Sequence, residues 1–423
     1  MYKRVIQYLQ IAFLFSFLLN ISSIKAETVD SLENKTSEQV MMSLLRDEGI
    51  SVTDDNKIEL LKSGEDKFLD LFEEIRNAKQ SIHLEYFNFR NDSIANALFD
   101  LLGKKVKEGV EVRAIFDAFG NMSNNRPLKK KHLKAIREKG IEIVKFDPIK
   151  FPWINHVFKR DHRKIVVIDG KIGYTGGMNI ADYYIKGLPK IGAWRDMHIK
   201  IEGSAVNYLQ DIFLEIWNKT TKQNIGGENY YQQQSNESTD NESSVAIIDR
   251  IPGKTPDIMR KLYVNSINAA KEKIQIINPY FVPTHSIKKA LKKALKRGVD
   301  IEIMIPGKSD IPFTPDAAFY TAHKLQKKGA HIYIFNGGFH HSKIMMIDST
   351  FCTVGSTNLN SRSLRYDYEV NALIFDKKIT NELIDLFNAD KKKSVLMDRE
   401  WYKNRSGWKR FVGWFANMLT PVL

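Results

Sequence analysis

The sequence predicts an α/β protein built as two similar domains with mixed β-sheets, and three observations lead there. Strand-like apolar runs alternate with amphipathic helical stretches along most of the 423 residues. The order of those runs in the first half recurs in the second. Between the halves lies a polar segment low in aliphatic residues, 220–244 (TTKQNIGGENYYQQQSNESTDNESS), which reads as a linker.

Each element follows in turn. The amphipathic stretch Phe68 to Ala78 predicts a helix, and the alternating SIHLEYFNF from Ser81 to Phe89 a strand. A helical run from Ile94 to Lys107 stops at Gly109 before the strand-like VEVRAIFD, which ends at Asp117. A helix through Leu133–Glu138 stops at Gly140 before strand IEIVKF. The second half repeats this grammar. KIQIINPYF (Lys273 to Phe281) precedes a Lys-rich helix to Arg297, then Gly298 and VDIEIMIP; helix AFYTAHKLQKK stops at Gly329 before AHIYIF. The stops Gly109 and Gly298, like Gly140 and Gly329, are 189 residues apart, so the repeat has the scale of a domain duplication and not of a solenoid. The expected division is a leader at 1–26, domain 1 at 45–219, the linker at 220–244, domain 2 at 245–390 and a basic amphipathic tail at 391–423.

Composition bounds the partners. With 43% hydrophobic and 27% charged residues, wholesale disorder and a polytopic membrane protein are both excluded. The single cysteine, Cys352, excludes an intramolecular disulfide and a Cys-based zinc cluster. The formal charge of +14 favours an anionic partner, whether nucleic acid, anionic membrane or phosphorylated substrate, unless it only solubilises the surface. At the N-terminus, Lys3 and Arg4 precede an uncharged stretch to Ile24 with a dense apolar centre, Ile11 to Leu19, and Ala26 stands before Glu27. That is the pattern of a signal peptide, and the whole stretch could also serve as an uncleaved anchor. Cleavage after Ala26 would remove Lys3, Arg4 and Lys25 and leave +11, so the basic character belongs to the mature chain.

The chemistry is concentrated in a matched pair of motifs. The first half carries His162-Arg163-Lys164-IVVI-Asp169, then six residues and Gly176-Gly177-Met178-Asn179. The second carries His341-Ser342-Lys343-IMMI-Asp348, then six residues and Gly355-Ser356-Thr357-Asn358, every position offset by 179. One H-x-K-x4-D pattern arises by chance at about one position in ten thousand at ordinary residue frequencies, so two extended copies in duplicated surroundings are specific. KIVVI and KIMMI read as buried strands. Side chains alternate along a strand, so the histidine and lysine of each motif face the same way. An imidazole beside an ammonium suits nucleophilic attack on a phosphate whose charge must be held. The acids of the two motifs, Asp169 and Asp348, would point to the opposite face and open the turns Asp169-Gly170 and Asp348-Ser349, which makes them structural or electrostatic members of the catalytic motifs. His340 faces away from its neighbour and receives no role.

This pattern resembles the phospholipase D superfamily over nearly the whole mature chain. The resemblance implies two phospholipase D-like α/β domains related by a pseudo-twofold axis and sharing one active site. It implies that His162 and His341 act as nucleophile and general acid/base, and that Lys164, Lys343, Asn179 and Asn358 bind the phosphate oxygens. It further implies a histidine-orienting carboxylate after each motif, for which Glu369 in YDYEVNALIFD and Asp196 in AWRDMHIKIEG stand in place. Within the superfamily, SIHLEYFNF, GVEVRAIFDAFGN, NPYFVP and GSTNLNSRSLRYDYEVNALIFD look like the bacterial cardiolipin synthases. That likeness implies transfer of a phosphatidyl group from one phosphatidylglycerol to another at the cell membrane, facing the periplasm or outside, with no cofactor and no metal. An exported phospholipase D or phosphodiesterase is the alternative, a nuclease less so.

The ending, GWKRFVGWFANMLTPVL, places Trp408, Phe411, Val412, Phe415 and Leu419 on one helical stripe beside Lys409 and Arg410. Such a stripe fits an anionic membrane surface or packs on the catalytic core. Other chemistries fail on spacing. No G-x-S-x-G or H-E-x-x-H occurs, and Gly253-Lys254-Thr255 and Gly307-Lys308-Ser309 lack the glycine five residues earlier, where Ile248 and Glu302 stand.

Overall fold

The computed structural model describes residues 35–148, 158–232, 242–311 and 314–418. The leader expected at 1–26, the middle of the linker and Leu419 lie outside them. Among these described residues, eight strands belong to the first half: β1 (Thr53–Leu61), β2 (Ser81–Tyr86), β3 (Glu111–Asp117), β4 (Glu142–Phe146), β5 (Lys164–Ile168), β6 (Ile172–Gly176), β7 (Trp194–Arg195) and β8 (His198–Glu202). Nine belong to the second: β9 (Ser243–Arg250), β10 (Lys273–Ile277), β11 (Asp300–Pro306), β12 (His331–Phe335), β13 (Phe339–His340), β14 (Ile344–Ile347), β15 (Phe351–Gly355), β16 (Glu369–Phe375) and β17 (Ser394–Leu396).

The halves have one topology. The first sheet runs β4-β3-β2-β5-β6-β8-β1; the second runs β12-β11-β10-β14-β15-β16-β9, with β17 added outside β12. In each, the three outer strands are parallel and the rest antiparallel, so both sheets are mixed. β1 pairs antiparallel with β9, Thr53 opposite Val245, and this seam turns the two sheets into one of fifteen strands about a pseudo-twofold axis.

Helices cover both faces. Helices Gly64–Asn77, Ser93–Lys107 and Lys130–Arg137 lie on one face of the first sheet; helices Ile258–Ala269, His285–Lys296 and Thr314–Gln326 lie on the matching face of the second. The long helices Ala205–Thr221 and Lys377–Lys391 cover the other face, where a single apolar core crosses the seam from Ile165 and Val167 to Met346 and Val354. Strand alternation sends Val166 and Ile168 to the opposite core, which is why KIVVI is apolar throughout. Helix ends are specified locally. Ser63 caps its helix by accepting from the Asp66 N–H at 3.0 Å, and Gly109 and Gly298, with φ of 90° and 89°, take the left-handed conformation that ends a helix where a β-carbon is disfavoured.

Two details differ from the sequence reading. The strand expected over Ser81 to Phe89 ends at Tyr86, and β2 is buried on both faces. Its polar positions are interior and partnered: the His83 ring stacks on Phe213 at 4.4 Å, and Glu85 meets Arg163 at 3.3 Å. The linker is also shorter than 220–244. Thr220 and Thr221 finish a helix, β9 starts at Ser243, and Tyr230 is buried, its hydroxyl donating to Glu111 at 2.8 Å.

Candidate active site

β5 and β14 lie side by side with their neighbours in the middle of each sheet, and each begins just after a motif histidine. His162 and His341 reach the same place because short parallel pairings couple the halves. Asp161 bridges Tyr368, with the His162 N–H donating to the Tyr368 carbonyl at 3.0 Å. On the other side β13 pairs with β7, and the His341 N–H donates to the Arg195 carbonyl at 2.7 Å. Each pairing sets the residue after it beside a histidine. Glu369, next to Tyr368, lies 3.1 and 3.2 Å from Nδ1 of His162; Asp196, next to Arg195, lies 2.7 Å from Nδ1 of His341. Each histidine thus takes its carboxylate from the opposite half, a crossing that no sequence spacing reveals.

The motif spacer explains itself at this point. A β-carbon on Gly177 would lie 2.1 Å from Oδ1 of Asp196, so only glycine leaves room for that short acid. The matching residue of the second half is Ser356, whose hydroxyl donates to the Glu369 carboxylate. The x6-G-[GS] pattern therefore encodes two ways of seating a carboxylate.

Lys164 and Lys343 are buried beside their histidines. Lys164 Nζ donates to the His162 carbonyl and lies 5.6 Å from the Phe87 ring centre. Lys343 Nζ donates to the His341 carbonyl and sits 2.8 Å from Nδ1 and 3.1 Å from Nε2 of that ring. Burial moves every one of these groups towards its neutral form. It brings the Lys164 ammonium down to about 7 and that of Lys343 to about 8. It also holds His162 well below the usual imidazole range, with the two lysines adding to the effect, and lowers His341. Glu369 is pushed up to about 7 by burial; for Asp196 burial acts upwards too, but Lys343 and His341 hold its carboxyl below its ordinary value. A neutral imidazole with its Nδ1 on a carboxylate is a competent nucleophile.

Asn179 and Asn358 are each 5% exposed, and Oδ1 of both has no protein partner. Asn179 is braced from behind. Buried Lys67 donates to the Met178 and Asn179 carbonyls at 3.0 and 3.2 Å, and the Asn179 N–H donates to the Tyr184 hydroxyl at 2.9 Å. Aromatic rings wall the site: Phe87 lies 5.1 Å from His162, while Trp194, Phe339 and Tyr280 lie 5.3, 5.3 and 5.9 Å from His341.

Asp169 and Asp348 stand apart from this cluster. Each accepts from three consecutive backbone N–H groups at the start of a strand: Lys79, Gln80 and Ser81 at 2.7–2.9 Å for Asp169, and Lys271, Glu272 and Lys273 at 2.7–2.9 Å for Asp348. Both open tight turns with φ near +50°, so although they complete the H-x-K-x4-D motif they stand away from its histidine and lysine. His340 faces away, bonded to Asp390 at 3.1 Å. Sequence reasoning gave Arg163 no part. It points opposite to the histidine and lysine that flank it, bridging Glu85 of one half and Asp249 of the other at 3.3 and 2.5 Å under the Tyr368 ring. Its position between two motif residues and beside acidic strands was the available signal. Among the described residues no group of three His, Cys, Asp or Glu side chains is arranged to hold a metal ion.

Mixed sheets doubled about an axis, with one histidine–lysine pair from each side, define a phospholipase D-like enzyme. The family model "Cardiolipin synthase, PLD-like domain" matches residues 71–217 and 263–391, and the chain belongs to that family. It is 36% identical to the cardiolipin synthase of Oceanobacillus iheyensis, over 96% of this chain and 83% of the relative, and 37% identical to that of Staphylococcus aureus, over 92% and 78%. In fold it is similar to the phosphatidylserine synthase of Haemophilus influenzae, with TM-score 0.68, 15% identity and coverage of 92% of this chain and all of that one.

Proposed function

We propose that the chain is a phosphatidyltransferase that makes cardiolipin from two molecules of phosphatidylglycerol. The observation that carries the reading is the crossed arrangement of His162–Glu369 and His341–Asp196 with both lysines and both asparagines in one buried cluster. In the first step Nε2 of His162 attacks phosphorus; the P–O bond to the headgroup breaks, and His341, entering as the imidazolium paired with Asp196, gives its Nε2 proton to the departing glycerol. A phosphatidyl-histidine remains. His341, now a base, takes the proton from a hydroxyl of a second phosphatidylglycerol, whose oxygen displaces His162 and yields cardiolipin. Lys164 and Lys343 meet the phosphate charge, and the side-chain N–H groups of Asn179 and Asn358 supply the remaining donors. Two displacements leave the configuration at phosphorus unchanged.

Lipid chemistry at an anionic membrane surface fits the excess of basic residues. The leader at 1–26 is in keeping with export, as a cleaved signal or an anchor; among the described residues no helix is long and apolar enough to cross a membrane. The test is incubation of purified enzyme with phosphatidylglycerol vesicles and separation of cardiolipin from phosphatidic acid. Cardiolipin with released glycerol is expected, and it should vanish in His162→Ala and in His341→Ala. Phosphatidic acid as the sole product would replace transfer with hydrolysis.

A further inference from the structure

The C-terminal helix Gly407–Met418 has two faces of unequal kind. Its small residues face the protein: Gly413 sits so close to helix Thr314–Gln326 that a β-carbon would meet the Asp316 carbonyl at 2.4 Å, Ala416 is buried, and Asn417 donates to Thr321 at 2.7 Å. Its large residues face outward. Trp408 is 70% exposed, and Phe411, Trp414, Phe415 and Met418 are each 43–55% exposed, with ring centres 5.7–6.2 Å apart from Trp408 through Phe411 to Trp414 and Phe415. A soluble monomer rarely leaves such a contiguous apolar patch in water.

Charge and position say what covers it. Lys409 and Arg410 are exposed on this helix, which carries no acid. Beside it, Lys324 packs over Tyr320, whose side chain touches the Gly413 position, and lies near Lys288 of the helix His285–Lys296, another element without an acid, which also carries Lys292 beside Lys288. The helix is also tied to the active site. Ala416 packs with Val282 and Ala317; the Val282 N–H donates to the Leu359 carbonyl at 2.9 Å, next to Asn358, and Tyr280 two residues earlier stands against His341.

We infer that the outward face of helix Gly407–Met418 is an interfacial docking element for an anionic lipid bilayer, fixed to the catalytic core so that the active site meets lipid headgroups. The aromatic residues enter the boundary of the acyl chains while Lys409, Arg410 and the neighbouring lysines meet anionic phosphates, the division expected of a helix lying in an interface. Because the helix is pinned through Gly413 and Ala416, docking sets the orientation of the whole catalytic domain. This inference rests on the reading of a phospholipid substrate.

The test uses the full chain and two forms of substrate. Phe411→Ser/Phe415→Ser should lower kcat/KM on phosphatidylglycerol vesicles by about tenfold or more, the scale of removing two buried aromatic rings from an interface. On monomeric short-chain phosphatidylglycerol the same variant should match the parent. In vesicles whose phosphatidylglycerol carries brominated acyl chains, tryptophan emission should be quenched, and Trp408→Phe/Trp414→Phe should remove the quenched component. Phosphatidylcholine vesicles should quench less. Unchanged vesicle activity in the double serine variant, or quenching that survives the double phenylalanine variant, overturns the inference. So does a parent chain that dimerises through this face and becomes monomeric in the serine variant while still binding vesicles. If neither substrate form is turned over by the parent while quenching persists, the substrate reading fails and the docking inference stands.

Discussion

The crossed carboxylates give the two histidines separate vulnerabilities. Glu369→Gln should impair His162 and Asp196→Asn should impair His341, each lowering kcat by about 10²–10⁴, the range for a positioned acid–base group. Trapping with radiolabelled lipid distinguishes them: Glu369→Gln should form little phosphatidyl-enzyme, whereas Asp196→Asn should alter proton transfer to and from the alcohols. Equal accumulation of intermediate in both would argue against crossed roles. The lysines set the pH dependence. With burial holding Lys164 at about 7 and Lys343 at about 8, the free enzyme loses both positive charges as pH rises, so kcat/KM should fall through this range on the alkaline limb. Stability moves the other way. Above about pH 8 the unfolded chain still binds the two protons that the folded one has released, so these groups add stability as pH rises towards the ordinary lysine range near 10.5. Kinetics and thermal melting across pH 6–10 should show opposite trends.

At the scale of elements, the motif acids belong to hairpins. Asp169→Ala leaves three strand-initiating N–H groups without their acceptor; those of Lys79 and Gln80 can turn to water, so the loss should be about 1–3 kcal/mol, the range for the one buried group, at Ser81, left unmet. Thermal unfolding reads the loss; kcat measured well below the lowered melting point should stay within a few-fold of the parent. A loss of kcat without a shift in melting would return Asp169 to the reacting groups.

Local signals made these elements legible. KIVVI and KIMMI announce buried strands, Gly109 and Gly298 announce helix ends, and H-x-K spacing puts each imidazole beside its ammonium. What the sequence could not encode was the partner across the fold. Asp196 and Glu369 stood out as acids after each motif, but only the pairings of β7 with β13 and of Asp161 with Tyr368 decide which histidine each one serves. Periodicity had the same limit at the C-terminus. It grouped Trp408, Phe411 and Phe415, which are exposed together, with Val412, which is half-buried, and left out the exposed Trp414 and Met418; a stripe of large apolar residues does not say whether it faces protein or lipid, and Gly413 and Ala416, which pack, leave almost no periodic signal. The alternation in β2 marked polar positions without showing that their partners are buried too.

For the molecule as a whole, the seam between halves is held by charge as well as by strands. Arg163 is buried among Glu85, Asp161 and Asp249; burial pushes Glu85 well above its ordinary carboxyl value and raises the other two. Arg163→Met should cost about 3–5 kcal/mol by leaving buried carboxylates without their cation, and denaturant unfolding should show one transition moved to lower concentration. Two separate transitions would mean that the halves fold independently of this contact.

The crossing of carboxylates also ties each histidine to a distant part of the chain. His162 depends on an acid 207 residues further along the chain, and His341 on one 145 residues before it. A nascent or truncated chain that ends before Glu369 holds the first motif complete and its histidine unassisted. Both crossed pairs therefore close only once the two halves have been made and folded together.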